Sequence, residues 1–309
     1  MKKFLLNTVL FSLSAIIGYC LLIIVWGEIF LHNERPNLIY KRAGYGHTLS
    51  RLNDAKVVNH TKVLFLGSSH AYRGFDVRLM HQQKINAFNL GTSAQTAEVT
   101  EVLLNRYLDS IKPKLVVIEV SPTVFNLDGV EAALDVLAND TIDLNAAKLA
   151  VRVNNLRVYN TLIYAYYRGL RNRDSKVVEK TVKGRDTYRK NGFVERKVTY
   201  FKNKSYSPRK YRLRDDQLAA LNRIIAKLKR RDLPYILVQA PVTRGIYERY
   251  TNRQEFESTI KEMGPYYDFN KLVKLDDSLH FYDAFHLNQR GVEIFNQKRI
   301  DTLRLDTVR

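Results

Sequence analysis

Residues Phe4 to Trp26 carry no charged side chain and are mostly Leu, Ile, Val and Phe. No other stretch restricts the fold of this chain so sharply. At 1.5 Å per helical residue, about 23 residues reach roughly 30–35 Å, the hydrocarbon thickness of a bilayer. A buried helix of a globular domain keeps a polar edge, and this run shows none. A cleavable leader has a shorter apolar stretch and small residues before the cut. This run ends instead in Val25-Trp26-Gly27-Glu28. Lipidation at Cys20 is disfavoured by bulky Tyr19 before it and by the apolar residues after it. The expectation is an uncleaved signal anchor over residues 1–27. Lys2 and Lys3 precede the span, while Glu28 and Glu34 follow it. That asymmetry keeps the short N-terminus in the cytoplasm. The rest of the chain is then expected on the extracytoplasmic, periplasmic side of the cell membrane, held by a single pass.

The formal net charge is +19 over 309 residues. So large an excess favours an anionic neighbour such as an acidic glycan, another anionic polymer or a headgroup surface. An extracytoplasmic location argues against nucleic acid as that partner. Cys20 is the only cysteine, so no intrachain disulfide can form.

After the span, residues 28–60 read as a tether: polar, with Pro36, Gly44 and Gly46 and no sustained period. From residue 61 short apolar runs alternate with helical patterns. Strands are expected at Val63–Leu66, Ala87–Leu90, Leu115–Val120 and Tyr235–Val238. Helices are expected at Phe75–Gln83, Thr96–Ile111 and Asp215–Arg231, with a closing helix from about Asn288 to Leu303. Leu218, Leu221, Ile224, Ile225 and Leu228 mark one helical face. Strands that alternate with helices predict a mainly parallel α/β sheet covered on both faces. In such sheets ligands bind at the carboxyl ends of the strands. Those ends read Gly67-Ser68-Ser69-His70, Gly91-Thr92-Ser93, Ser121-Pro122 and Ala240-Pro241-Val242-Thr243-Arg244.

Residues 168–214 break the alternation. They hold 17 Lys or Arg against four acidic residues, interleaved with tyrosines and phenylalanines. They read as a basic insertion, either a solvated and partly mobile loop or a groove for an acidic polymer.

A serine hydroxyl needs a base within hydrogen-bond reach, a partner that orients the base, and donors for the oxyanion. Ser69 ends a strand at a turn into a helix. Alanine at 71 departs from the G-x-S-x-G elbow, which disfavours an α/β-hydrolase. His286, with Asp283 three residues before it, supplies a candidate base and its orienting carboxylate. The same residues also read as a capped helix start with Asn288 as N-cap.

Gly67-Ser68-Ser69, Asn89-Leu90-Gly91 and Asp283-x-x-His286 together resemble the SGNH (GDSL-like) hydrolase superfamily over about residues 61–309. The resemblance implies a three-layer α/β/α fold, with Ser69 as nucleophile, His286 as base and Asp283 as its partner. The Ser69 and Gly91 amides would serve the oxyanion. The family's Gly-x-Asn-Asp after the third strand is replaced by Glu119-Val120-Ser121-Pro122-Thr123. One donor is therefore missing, with a side chain of Ser121 or Thr123 as a substitute. The departure is similar to the membrane-anchored branch that includes DltD-type and alginate O-acetylation proteins. That branch works at the envelope, often beside a membrane-bound O-acyltransferase.

His70, Arg73, Gln95, Ser121 and Arg244 are candidate substrate-binding residues. A metal at His280, Asp283 and His286 is disfavoured, because positions six apart on a helix lie about 120° apart. Neither a metal nor a cofactor is expected. The expected activity is that of a serine esterase or O-acyltransferase acting on acyl esters of an envelope polysaccharide or related polymer. Two alternatives stand: a non-catalytic module that presents polymer or acyl carrier to a partner acyltransferase, and a binder of acidic polymer through residues 168–214.

Overall fold

A computed structural model describes residues 1–30, 37–202 and 204–305. Helix α1 (Lys2–Ile29) takes up the apolar run. It is the one helix among the described residues long and apolar enough to cross a membrane. Helix α2 (Thr48–Val57) leads into β1 (Val63–Leu66), the short helices α3 (Ser69–Gly74) and α4 (Val77–Gln82), β2 (Ala87–Asn89), α5 (Ala97–Ile111) and β3 (Leu115–Glu119). A helical excursion follows: α6 (Val130–Asn139), α7 (Leu144–Val153) and α8 (Leu156–Leu170). Then comes an antiparallel ribbon of β4 (Val182–Lys183), β5 (Asp186–Arg189) and β6 (Phe193–Arg196). The chain closes with α9 (Asp215–Arg230), β7 (Tyr235–Gln239), α10 (Arg244–Arg249), α11 (Arg253–Met263), β8 (Tyr266–Asp268), α12 (Phe269–Leu272), α13 (Asp277–His280) and α14 (Gln289–Leu303).

The main sheet has the order β2-β1-β3-β7-β8, and every neighbouring pair is parallel. Helices cover both faces, so the strands are apolar on both sides rather than alternating. β1 and β3 bury every residue. Leu64, Leu66, Val116, Ile118 and Leu237 face one core, shared with residues of α5, α6, α9 and α11. Val63, Phe65, Val117 and Val238 face the other, shared with α4, α12 and α14. The result is a three-layer α/β/α arrangement around a parallel sheet.

Two readings of the sequence need correction. The segment expected to be a tether holds α2, which buries Leu49, Leu52 and Ala55. Ten residues are too few for a helical period to stand out, and Arg51 on the buried side disguises the apolar stripe. Residues 31–36, also in that segment, lie outside the described residues. The basic insertion is not a loop throughout. Its centre is the β4–β6 ribbon, with Phe193 and Val194 buried. Many of its cations already have partners: Arg168 with Asp174, Lys183 with Glu179, Arg189 with Glu195 and Arg196 with Asp186. The turn after β5 docks on the sheet, where Asn191 O accepts from the Asn89 amide at 2.9 Å.

Candidate active site

Ser69 is the first residue of α3, directly after the turn that ends β1. Gly67 makes that turn at φ +140°. A Cβ there would lie 2.6 Å from the Cβ of Glu119, so only glycine lets β1 turn so close to β3. Ser68 caps α3, its Oγ accepting from the His70 amide at 3.3 Å. The Ser68 hydroxyl also donates to Glu119 Oε2 at 3.1 Å.

His286 comes from the loop before α14, at the far end of the domain sequence. Its Nε2 lies 2.8 Å from Ser69 Oγ. Its Nδ1 lies 2.9 Å from Asp283 Oδ2. A carboxylate can only accept, so Nδ1 carries the proton and Nε2 accepts from the serine hydroxyl. Asp283 also accepts from the amides of Phe285 and His286, both at 2.8 Å. Burial opposes its ionisation, but the bonds from His286 and these amides outweigh burial and hold the carboxyl below its usual range.

The His286 ring stacks with two others. Tyr282 lies parallel on one contact, centroids 5.5 Å apart, and His70 on another at 5.2 Å. Burial first, and His286 second, push the His70 imidazole down to about 3. His70 therefore stays neutral and does not oppose a positive charge on His286. Its Nδ1 faces the Ser68 hydroxyl at 3.1 Å.

The three residues open into a cleft of about 640 Å³. Arg73 lines it and is fixed to Asp186 by two bonds, at 3.0 and 2.7 Å. Arg196, from β6 of the insertion, also lines it, 4.5 Å over the Tyr282 ring. Thr123, Ala94, Leu127 and Glu131 line it as well.

Several expected residues stand elsewhere. The Gly91 amide is taken by its own neighbour, since it donates to Asn89 Oδ1 at 3.1 Å. Asn89 is a bracket: its Nδ2 donates to Ala71 O and Phe75 O. Gly91 is thus packed behind the Gly67–Ser69 turn, against Gly67 O and Ser68 O. Gln95 is buried and donates to Thr100 Oγ1, away from the cleft. Arg244 is solvent-exposed and pairs with Glu248 at 2.7 Å, one helical turn on. Ser121 is buried and bonded to Thr123 at 2.8 Å. His280 accepts from the Asp276 amide at 2.7 Å and lies outside the Ser69 cluster.

The structure also brings residues to the cleft that the sequence did not single out. Ala94 stands there at φ +49°, a conformation that an alanine seldom takes. Neither its amide nor that of Ser69 has a hydrogen-bond partner among the described residues. Both amides are therefore free to donate to an oxyanion in the cleft. Tyr282 and Arg196 are two more such residues, and Tyr72, Leu127 and Glu131 line the cleft as well. An alanine in the sequence carries no signal of its backbone angle, and Arg196 lies within a run of unremarkable cations.

No family model matches the sequence, and no curated protein matches it. Solved structures with a similar course of the chain include lipases and esterases. A GDSL-like lipase from Bacteroides thetaiotaomicron is 11% identical, with 82% of this chain and 94% of that one covered, at a TM-score of 0.41. An acetylxylan esterase from Geobacillus stearothermophilus is 14% identical, over 82% of this chain and 97% of that one, at 0.41. A lipase/acylhydrolase from Enterococcus faecalis is 14% identical, over 79% and 96%, at 0.37.

Proposed function

We propose that this protein is a membrane-anchored serine esterase or O-acyltransferase that works through an acyl-Ser69 intermediate. One observation carries the reading: Ser69 Oγ, His286 and the Asp283 carboxylate form an unbroken hydrogen-bonded chain, at 2.8 and 2.9 Å, open to a large cleft. Nε2 of His286 takes the hydroxyl proton as Oγ attacks the ester carbonyl, and Asp283 steadies the resulting imidazolium. The Ser69 and Ala94 amides receive the oxyanion. His286 then returns the proton to the leaving alkoxide. Water as the second acceptor gives hydrolysis; a hydroxyl of a polymer gives transfer.

The substrate we propose is an acyl ester on an acidic envelope polysaccharide or related polymer. The net charge of +19 supports it, and Arg73 and Arg196 stand on a cleft wall whose acidic residues are Glu131 and Asp283. Arg73 is held by both of its bonds to Asp186, whereas Arg196 gives that carboxylate one. Arg196 is the cation better able to meet a substrate carboxylate. The test is acetate release from O-acetylated acidic and neutral polysaccharides. Arg196→Ala is predicted to raise KM for the acidic substrate about tenfold, with little change for the neutral one, the value of one partly exposed charged hydrogen bond. Equal effects on both would remove the acidic polymer from the proposal.

A further inference from the structure

Helix α1 does not leave the domain behind when it ends. It is bonded to α8 along its last three turns. Tyr19 Oη donates to Asn160 Oδ1 at 2.7 Å. Tyr164 Oη donates to Glu28 Oε1 at 3.0 Å, and Arg173 pairs with Glu28 at 2.7 Å. Gly27 lies flat against the Tyr164 ring, where a Cβ would come within 2.2 Å of it. The partners follow the same order on both helices, 19 with 160, then 27 and 28 with 164, so the two run in the same direction here. The start of α8 is therefore its end nearer to the membrane.

The depth follows from the helix rise. Phe4 to Leu22 makes a span of about 28 Å, which places Trp26 in the headgroup layer and Tyr19 about 5 Å inside the hydrocarbon boundary. A tilt of about 20° changes this by less than about 1 Å. Asn160 is held at that level, and Leu156 is one further turn, about 6 Å, toward the bilayer centre. The residues there suit the place. Val151 on α7 and Leu156 on α8 form the corner between the two helices and are 66% and 55% exposed. Leu156, Tyr159, Ile163, Tyr166 and Leu170 recur at three- and four-residue spacing beside the face that meets α1. Tyr166 and Leu170 are 54% and 68% exposed. Tyrosine suits a layer that is apolar at one end and wet at the other. Were the bilayer instead to stop at Tyr19, only about 26 Å of helix would remain to span roughly 30 Å. Leu21, Leu22, Val25 and Ile29, each more than half exposed, would then stand in water.

We infer that the α7–α8 corner, with Val151 and Leu156 flanking its Asn154-Asn155 turn, is inserted into the lipid interface beside the protein's own anchor. The occupant of this apolar surface is the bilayer itself. The domain is then held at a fixed height and orientation rather than on a free leash, and Arg157 at the corner extends toward the headgroups. The inference rests on the reading of α1 as a membrane span.

The test uses the full chain, Cys20→Ser, in phosphatidylcholine/phosphatidylglycerol vesicles. Single cysteines replace Leu10, Val151, Leu156 or Leu279, all exposed positions, and carry an environment-sensitive fluorophore. Lipids spin-labelled high on the acyl chain should quench positions 151 and 156 severalfold more than position 279, and blue-shift their emission. Quenching at 10 without quenching at 151 and 156 leaves the anchor standing and overturns the inference. No quenching at 10 overturns the anchor reading and the inference with it. Equal quenching at 156 and 279 shows general adhesion to lipid and also overturns it.

Discussion

Ser68 and Ser69 have the same side chain and adjacent places, yet the fold gives them opposite surroundings. Ser68 is buried and occupied by the His70 amide and Glu119. Ser69 faces His286 and the cleft. The sequence placed a serine at the end of β1 and a histidine with an aspartate far away, and the structure brings them together. It could not show that Asn89 takes the Gly91 amide, because competition between partners is decided by side-chain geometry and not by spacing. The Asp283 carboxylate holds the tautomer of His286. Asp283→Asn is predicted to reduce kcat by on the order of 10³–10⁴-fold while leaving the fold intact, as read from steady-state kinetics and circular dichroism. A loss of less than tenfold would remove Asp283 from the proton path.

Glu119 adds a pH dependence at this scale. Burial pushes its carboxyl up to about 7, and the bonds from Ser68 only partly offset burial. Folding thus favours the protonated form. The stability that depends on it is complete below about 4.5, the ordinary value, and is lost as pH rises through 7. Glu119→Gln removes that loss. Its stability relative to the parent should rise between pH 5 and pH 8 by on the order of 3 kcal/mol in urea titrations. Asp135, also pushed up to about 7, shares the trend in both proteins and cancels in the difference. A pH-independent difference would mean that Glu119 is ionised in the folded state.

Among the elements, those with a clear period were legible. Helices α5, α9 and α14 lie within a residue or two of their expected bounds, as do β1, β2, β3 and β7. β8, only three residues long, gave no pattern to read. The ribbon was hidden by its charges, because pairing between cations and carboxylates in it is non-local. Arg73 meets Asp186 and Arg78 meets Glu195 across more than a hundred residues. Arg51 of α2 clamps the same region. It is fully buried and donates to Gly192 O at 2.9 Å and Gly46 O at 3.0 Å, with its guanidinium 4.5 Å over the Tyr72 ring. Arg51→Ala leaves these carbonyls without their donor and opens a cavity. A destabilisation of about 2–4 kcal/mol is predicted from chemical denaturation. A change below about 0.5 kcal/mol would show that the ribbon holds its place without the clamp.

At the scale of the whole molecule, one chain combines an apolar helix fit for a bilayer, a parallel sheet and a basic ribbon that lends Arg196 to the cleft. The alternation of strands and helices predicted the sheet, since burial on both faces demands apolar strands. The way α8 lies along α1 was not legible, because tyrosine-to-asparagine contacts leave no mark on hydropathy. All these parts converge on one serine. The most direct measurement is mass spectrometry of the intact protein after exposure to a serine-reactive phosphonate. The parent should gain one adduct, mapped to Ser69 after digestion, and Ser69→Ala should gain none. Unchanged labelling of Ser69→Ala, or an adduct mapped to Ser68, would contradict the assignment of Ser69 as the nucleophile.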